Sequence, residues 1–256
     1  MEVITSAQNS KLKLARSLLG RPKERRDAGA FVAEGVRLVE EAVNASWLMQ
    51  FVLFDETLSE RGQSQVESLR SRGVEVEQVT PELMKSLSDT ETSQGILAVL
   101  TLSPIPYPLS PTFLLIPDQI RDPGNLGTLL RSADAAGVDA VLIPPETTDP
   151  FGPKVVRAGM GAHFRLPILS LSWEEMVGKL AGLQILVADM DGESCWQMDL
   201  RQPLALIVGG EAEGASESAR KLANEKISIP MTGKTESLNA AVAGSVLMFE
   251  VVRQRK

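Results

Sequence analysis

The sequence predicts an α/β protein whose larger, C-terminal domain is a mostly parallel β-sheet covered by helices on both faces. From residue 112 onward, short apolar runs alternate with amphipathic helical patterns, an order typical of parallel sheets. The segment SPIPYPLSP at 103–111 has four prolines in nine residues, so neither a helix nor a central strand can run through it. With 256 residues, the chain has enough material for two domains. We therefore predict a first domain at 1–103, a proline-rich linker at 104–111 and a second domain at 112–256.

The first domain is predicted to be a small α/β unit of alternating helices and strands. Its helices show apolar residues at helical spacing, and Gly73 ends the third of them, as glycine often does at a helix C-terminus. The predicted helices cover 10–19, 35–44, 58–72 and 81–88, and the predicted strands cover 31–33, 47–54, 74–79 and 96–100.

The second domain is predicted to have an alternating order of strands and helices. Its strands are the apolar runs at 113–116, 140–143, 184–188, 204–208 and 227–229. Its helices cover 124–136, 153–163, 173–181, a segment after Gly214, and 237–252, with Ser237 as the predicted cap of the last one. Because parallel strands end at one edge of the sheet, the loops that follow them are expected to form a ligand site there.

Composition excludes several classes of site. The single cysteine, Cys195, rules out a disulfide within the chain and fits a reducing cytoplasm. Together with the single histidine, His163, it argues against zinc, and we predict no metal. No apolar run is long enough to span a membrane, and the N-terminus lacks the apolar core of a signal peptide. We therefore expect a cytoplasmic protein.

The charge distribution is asymmetric. The whole chain carries −7, which argues mildly against a nucleic-acid partner. Residues 1–37 nevertheless hold eight Lys/Arg against four acidic residues, so this arm carries +4 and the rest −11. A basic arm of this kind is compatible with RNA binding, although a solvated basic helix face is the alternative. The candidate RNA-binding residues are Lys11, Lys13, Arg16, Arg21, Arg25, Arg26 and Arg37.

The first candidate loop is DQIRDPGNLGTLLR at 118–131. Asn125 falls at the start of the following helix, beside free backbone amides that favour an anion such as a phosphate. Arg131 lies about two turns further on, where a guanidinium can bind a phosphate or carboxylate with two hydrogen bonds. The alternative is an N-cap asparagine and a salt-bridged surface arginine.

The second loop is GGEAEGAS, after the apolar run at 204–208. Gly209 and Gly210 allow the backbone to approach a ligand closely, and Glu211 is expected to point into the same crevice, while Gly214 opens the next helix. The alternative is an ordinary strand-to-helix turn with solvated glutamates.

The third loop, IPMTGKTESLN at 229–239, contains a Gly-Lys-Thr that resembles the end of a P-loop. A P-loop needs a glycine five residues before Gly233, and Ser228 stands there, so we reject an ATPase. Asn239 is expected in the first turn of the last helix.

Taken together, these loops resemble the three signature motifs of the SpoU (TrmH) family of RNA ribose methyltransferases, in the SPOUT superfamily. The matching segments are NLGTLLR at 125–131, GGEAEG at 209–214 and IPMTGKTESLN at 229–239. Upstream, FVAEGVRLVEEA at 31–42 and TSQGILAVL at 92–100 resemble a substrate-binding domain with a ribosomal-protein-like fold. Two positions depart from the family pattern, Ala212 in place of glycine and Ala240 in place of valine.

The resemblance implies a homodimer with a deep C-terminal trefoil knot, an exception to the rule that chains do not thread loops. It implies S-adenosylmethionine as cofactor, bound by the knot loops, and methyl transfer to a ribose 2'-hydroxyl in structured RNA. The implied cofactor-binding residues are Gly209, Gly210, Glu211, Gly214, Ile229, Met231, Ser237 and Leu238.

The implied catalytic residues are Arg131, Asn125, Glu211, Ser237 and Asn239. Some family proposals make the arginine a general base, but arginine stays protonated over the accessible pH range. We therefore favour a role for Arg131 in orienting the hydroxyl and binding phosphate. Asn125 would position the RNA or the first loop, Glu211 would hold the loops together, and Ser237 and Asn239 would contact the RNA.

The substrate is predicted with less detail. A separate N-terminal domain indicates recognition of a folded RNA element and favours rRNA, of the 23S type, over tRNA. The alternatives are a tRNA ribose methyltransferase and a catalytically silent RNA-binding assembly factor. Methylation of a base is a third possibility, which the Ser-Leu-Asn pattern at 237–239 disfavours.

Overall fold

A computed structural model of the protein describes residues 3–88, 93–102, 105–211, 214–235 and 237–256. The chain forms two compact units, one of Met1–Ser103 with Phe151–Arg157, the other of Pro104–Pro150 with Ala158–Lys256. The predicted boundary at 103 and 104 falls on residues outside the described part. Residues 105–111, within the predicted linker, contain neither helix nor strand.

The first unit contains a four-stranded sheet in the order β1-β4-β2-β3. Strand β4 is antiparallel to both of its neighbours, and β2 and β3 are parallel. The strands are β1 (Ala30–Glu34), β2 (Met49–Phe54), β3 (Val76–Gln78) and β4 (Ile96–Thr101). The helices are α1 (Ser10–Gly20), α2 (Pro22–Ala28), α3 (Val36–Asn44), α4 (Glu60–Ser71) and α5 (Pro81–Leu87). The predicted elements are therefore present, with α2 in addition.

The second unit contains a six-stranded sheet, parallel throughout, in the order β10-β8-β9-β5-β6-β7. The strands are β5 (Phe113–Asp118), β6 (Ala140–Ile143), β7 (Ile168–Ser170), β8 (Gln184–Ser194), β9 (Leu204–Gly209) and β10 (Glu225–Ser228). All residues of β5 and β6 are buried, as expected for strands covered on both faces. The predicted parallel α/β sheet is confirmed, with β7 as a strand that the pattern did not predict.

The helices of the second half of the chain follow the predicted order. They are α6 (Pro123–Ala136), α7 (Pro153–Gly159), α8 (Trp173–Lys179), α9 (Glu217–Leu222) and α10 (Ala240–Arg255), with a short 3-10 turn at Ala162–Phe164. Helix α10 packs on α6 and β9. Among the described residues, we find no helix with the length and hydropathy needed to cross a membrane.

The strand order places a crevice between β5 and β9. From β5 the chain runs outward through β6 and β7, and then crosses to the other half of the sheet for β8 before returning to β9. Such a switch in strand order creates a crevice at the carboxyl ends of the two central strands. The pairing of Asp118 with Gly209 brings the ends of β5 and β9 to the same level. The first and second predicted loops therefore start side by side.

Candidate functional site

Three side chains, one from each predicted loop, meet at the carboxyl ends of β5 and β9. The amide nitrogen of Asn125 donates to Oε1 of Glu211 at 2.6 Å, and the amide nitrogen of Asn239 donates to the same oxygen at 2.7 Å. The Asn239 amide also lies 3.0 Å from Oδ1 of Asn125. Because a carboxylate strengthens the bonds it accepts, this Asn-Glu-Asn network holds the three loops together.

The network depends on how the first helix begins. Asp122 is the N-cap of α6, and its Oδ1 accepts the backbone N–H of Asn125 at 2.8 Å. The alternative in which Asn125 caps the helix is therefore wrong: Asp122 satisfies that free amide and leaves the Asn125 side chain available to Glu211.

The last helix also begins differently from the prediction. Asn239 is the N-cap of α10, and its Oδ1 accepts the backbone N–H groups of Ala241 and Val242 at 3.0 and 3.2 Å. The predicted cap, Ser237, lies two residues before this position and is exposed. A single side chain thus uses its oxygen to start a helix and its nitrogen to bind Glu211. This dual use fixes the orientation of the Asn239 amide.

A cavity of about 780 Å³ lies next to the network. All eight predicted cofactor-binding residues line it: Gly209, Gly210, Glu211, Gly214, Ile229, Met231, Ser237 and Leu238. Its volume is within the range of about 300–1,000 Å³ that is usual for small-molecule sites. Apolar side chains such as Leu247 and Ile227 form part of the wall.

Gly209 and Gly210 are required by close backbone packing. A Cβ on Gly209 would lie 2.3 Å from the backbone of Gly214 and Ala215, and a Cβ on Gly210 would lie 2.6 Å from the carbonyl oxygen of Gln119. The second loop therefore folds tightly against the first, as the two consecutive glycines indicated. Ala212, one of the two departures from the family pattern, lies outside the described residues.

Two acidic residues of the site region were missed in the sequence. Asp118, at the end of β5, is buried, and its Oδ2 accepts the backbone N–H of Ser216 at 2.6 Å, which anchors the second loop. Burial raises the pKa of Asp118 despite the hydrogen bonds from Ser216, and the charge of Glu146 raises it further. Its position at the end of an apolar run was the signal available in the sequence.

Asp189, on β8, lines the larger cavity together with Arg220. Its carboxylate lies 3.1 Å from Nζ of Lys226 and 3.6 Å from the guanidinium of Arg220. Burial opposes ionisation, but the backbone N–H of Asp191 and these two cations outweigh it and lower the pKa of Asp189. The carboxylate is therefore ionised near neutral pH and links β8, α9 and β10.

A second, smaller cavity of about 290 Å³ adjoins the first. Asn125 and Glu211 line it, as does Arg121, which was not among the predicted site residues. Both cavities share Gly210, Glu211, Gly214 and Ala240. Glu211 thus lines both of two adjoining spaces, one of cofactor size and one that is smaller.

Arg131 is separated from the other predicted catalytic residues. It is exposed on α6 and is not among the described residues that line either cavity. Six residues of α-helix correspond to a rotation of about 240° and a rise of about 9 Å, so Arg131 points away from Asn125. Within one chain, four of the five predicted catalytic residues lie at the two cavities, and Arg131 does not.

The basic arm in the first unit is only partly available for a ligand. The prediction is wrong for Arg25, because this side chain is buried in α2 and its guanidinium donates to the carbonyl oxygen of Leu18. Lys11 forms ion pairs with Glu75 and Glu77 at 2.7 and 2.6 Å, which neutralise its charge. The other five predicted residues are exposed: Lys13, Arg16, Arg21, Arg26 and Arg37.

His163 and Cys195 lie apart from this chemistry. His163 is buried, its Nε2 lies 2.7 Å from the carbonyl oxygen of Pro150, and burial lowers its pKa to about 4. Burial raises the pKa of the Cys195 thiol to about 11. Both side chains are therefore uncharged at neutral pH. Among the described residues, no cluster of His, Cys, Asp and Glu could hold a metal ion.

The chain is similar over nearly its whole length to known RNA methyltransferases. Residues 112–249 match the SpoU rRNA Methylase family, and residues 9–98 match the MRM3-like substrate binding domain. The chain is 32% identical, over 98% of its length, to the 23S rRNA (guanosine(2553)-2'-O)-methyltransferase RlmP of Bacillus subtilis, 99% of which is covered. It is 31% identical, over 98% of its length and 92% of the relative, to the 23S rRNA (uridine(2479)-2'-O)-methyltransferase of Streptomyces viridochromogenes.

The chain is also similar to a solved methyltransferase structure. The SpoU methyltransferase AviRb from Streptomyces viridochromogenes, in complex with AdoMet, superposes with a TM-score of 0.83 at 30% sequence identity. The match covers 96% of this chain and 99% of that one.

Proposed function

The chain belongs to the SpoU rRNA methylase family, and we propose from this premise that it methylates a ribose 2'-hydroxyl of 23S-type rRNA with S-adenosylmethionine as methyl donor. The observation that carries the proposal is the Asn-Glu-Asn network between two adjoining cavities. It makes one carboxylate part of the wall of both a cofactor-sized space and a smaller space that adjoins it. Two substrates bound in cavities that adjoin at Glu211 are close enough for direct transfer between them.

The larger cavity fits S-adenosylmethionine. Its volume suits a ligand of this size, and Gly209 and Gly210, which pack closely on the backbone of Ala215 and Gln119, add no side chain to its wall. We assign its binding to the eight predicted residues that line the cavity. Bound there, the cofactor supplies a methyl group activated by a sulfonium. The third loop contributes Met231 and Leu238, each 38% exposed, as apolar side chains to cover it.

The smaller cavity is the proposed place of the target nucleotide. Asn125 and Asn239 hold Glu211 on its edge, so its polar groups stay fixed before the RNA binds. Fixed polar groups reduce the reorganisation needed to align a hydroxyl with a methyl donor. The 2'-hydroxyl attacks the methyl carbon, the carbon–sulfur bond breaks, and the hydroxyl proton is lost to solvent or a nearby base.

We propose that the active form is a homodimer in which Arg131 completes the site of the partner subunit. Arg131 points away from the network of its own chain, and α10 exposes Val242 and Phe249 to 47% and 48%. These two apolar residues lie seven apart and therefore share one helix face, suited to a hydrophobic interface. At the partner's site, Arg131 would orient the hydroxyl and bind a phosphate.

Further parts of the proposal concern the rest of the chain. The first unit, with the exposed basic residues Lys13, Arg16, Arg21, Arg26 and Arg37, would bind a folded RNA element.

We propose that the C-terminal segment threads a loop to form a trefoil knot. This is consistent with α10 packing on β9 and α6 in the middle of the sheet, after β10 at its edge. The protein is proposed to act in the cytoplasm.

The central experiment is transfer of radiolabelled methyl groups to separate pools of unmodified rRNA and tRNA. Alkali-resistant label in rRNA is expected, because ribose methylation blocks cleavage by the 2'-hydroxyl. Label in tRNA alone would establish the tRNA alternative, and label recovered in the mononucleotides that alkali releases would contradict ribose methylation. No label in either pool, with cofactor binding intact, would indicate the silent RNA-binding factor.

The role of Arg131 is tested by complementation between subunits. Arg131→Ala is expected to abolish methylation while folding and cofactor binding remain near normal, and loss of cofactor binding would contradict the assigned role. Coexpression of Arg131→Ala with Asn239→Asp should restore about a quarter of the activity, because half of the dimers would then be mixed and contain one intact site of two. No recovery in mixed dimers would place Arg131 at the site of its own chain.

A further inference from the structure

Arg121 lies at the edge of the smaller cavity and has no role in the function described above. It lines this cavity together with Asn125 and Glu211, and its side chain is 77% exposed. Of the nine described residues that line the cavity, it alone carries a positive charge, whereas Asp122 and Glu211 are acidic. A negatively charged ligand that enters this space therefore meets one cation.

A neighbouring loop holds Arg121 only weakly. The guanidinium lies 3.9 Å from Oε2 of Glu146, whose side chain is 66% exposed. Exposed ion pairs at this distance contribute little, because water and salt screen them. The same carboxylate oxygen also accepts a hydrogen bond from Nε2 of Gln119 at 3.2 Å. Arg121 can therefore exchange Glu146 for a stronger anion without disturbing the fold.

The backbone around this ion pair is fixed. Gln119 and Glu146 both have positive φ, +53° and +67°, a conformation that residues other than glycine seldom adopt. Two hydrogen bonds join their loops, from the N–H of Thr148 to the carbonyl oxygen of Ile120 and from the Thr147 hydroxyl to that of Pro117, both at 2.9 Å. A backbone held in this way keeps Arg121 at the cavity edge before any ligand arrives.

RNA chemistry identifies the anion. The 3'-phosphate of a nucleotide is attached to the carbon next to the one that bears the 2'-hydroxyl. A target hydroxyl placed beside the Asn125–Glu211 pair therefore brings a phosphate to the same cavity, close to the Glu211 carboxylate. That phosphate requires a cation to offset the repulsion, and guanidinium binds phosphate with two parallel hydrogen bonds.

We propose that Arg121 binds the 3'-phosphate of the target nucleotide and exchanges its weak ion pair with Glu146 for that phosphate when the RNA arrives. This inference rests on the proposed function, since it takes the smaller cavity as the nucleotide site. Arg121 acts in binding, because it positions the ribose through its phosphate and takes no part in the transfer of the methyl group.

The test combines RNA binding with kinetics for the full-length protein and unmodified rRNA. Arg121→Ala should raise KM for RNA about tenfold or more, with kcat within about threefold, and should lower the salt dependence of RNA affinity by about one phosphate contact. Arg121→Lys should recover part of the affinity, because lysine retains the charge without the paired hydrogen bonds. The matched control is Arg201→Ala, an arginine that is 67% exposed and pairs with Asp199 away from the site.

Two results would overturn the inference. An unchanged KM and salt dependence in Arg121→Ala would show that no phosphate binds there, and a weaker affinity for S-adenosylmethionine would show that the arginine binds the cofactor carboxylate instead. Filter binding of RNA needs no turnover, so it separates this inference from the proposed function. If the wild-type protein binds rRNA through Arg121 but transfers no methyl group, the inference holds and the proposed function fails.

Discussion

The Asn-Glu-Asn network makes one prediction that separates helix capping from site geometry. Replacing Asn239 by aspartate keeps an oxygen that accepts the backbone N–H groups of Ala241 and Val242, now at 3.0 and 3.2 Å from Oδ1. Aspartate is as good a cap as asparagine, and its charge favours the helix N-terminus. The same change removes the amide that donates to Glu211 and places a second carboxylate beside it.

The distances in the network set the size of the effect. Two carboxylates at the present 2.7 Å contact repel each other by about 1.5 kcal/mol at the dielectric constant of water, and by about 6 kcal/mol at an effective value near 20. The side chains are exposed, so they will move apart, and the third loop will move with them. Because a displacement of about 1 Å can lower a rate about 100-fold, we expect a loss of at least that size in methyl transfer. The free energy of unfolding should change by less than about 1 kcal/mol, since the cap is retained.

Urea unfolding and single-turnover methyl transfer, at saturating cofactor, measure the two effects separately. The matched variant is Asn239→Ala, which lacks both the cap and the donor and should lose about 1 kcal/mol of stability together with activity. Methyl transfer at the wild-type rate in Asn239→Asp would refute the idea that the network positions the site. A loss of stability equal to that of Asn239→Ala would refute the assignment of the cap.

Two further predictions concern stability. Gly244→Val should lower the free energy of unfolding by about 1–3 kcal/mol, because even a Cβ there would lie 2.5 Å from Leu129 and 3.2 Å from Val208. In the control, Gly178→Val, the new side chain enters open space on α8. Urea unfolding should show a change of less than about 0.5 kcal/mol in the free energy of unfolding. For His163, burial lowers the pKa from 6.5 to about 4, so protonation favours the unfolded chain and stability is lost as the pH falls below 6.5. Between pH 7 and pH 5, protonation of His163 should lower the free energy of unfolding by about 2 kcal/mol. An equal loss over this pH range in His163→Gln would contradict the assignment of the effect to His163.

Most of the elements could be predicted because their signals are local. Apolar runs, helical periodicity and glycine stops depend on a few neighbouring residues. Two elements without such a signal were missed. Strand β7 is three residues long and only partly buried, so it lacks the apolar run of the other strands. Helix α2 has no apolar face, and its sequence signs are Pro22 at the first turn and Gly29 at the left-handed C-cap.

The caps of α6 and α10 could not be assigned from the sequence, because each of these two helix starts offers more than one candidate within four residues. Asp122 and Asn125 compete at α6, and Ser237 and Asn239 compete at α10, and all three residue types cap helices well. The structure assigns Asp122 and Asn239. In both cases the choice leaves an asparagine amide directed at Glu211, so a contact between distant loops accompanies each local arrangement.

The site itself shows how far local patterns extend. The parallel arrangement predicts that the three loops lie at one edge of the sheet, and this needs only the alternation of strand and helix. Which atoms meet depends on the order of the strands, because Asn125 and Glu211 are 86 residues apart and approach each other only when β9 is inserted beside β5. Arg131 belongs to the same motif as Asn125, yet the turn of α6 directs it elsewhere. A motif thus identifies residues that act in one reaction. Helix rotation and strand order decide whether these residues reach the same active site within one chain. For this reason the mixed-dimer experiment tests the structure more severely than any single substitution.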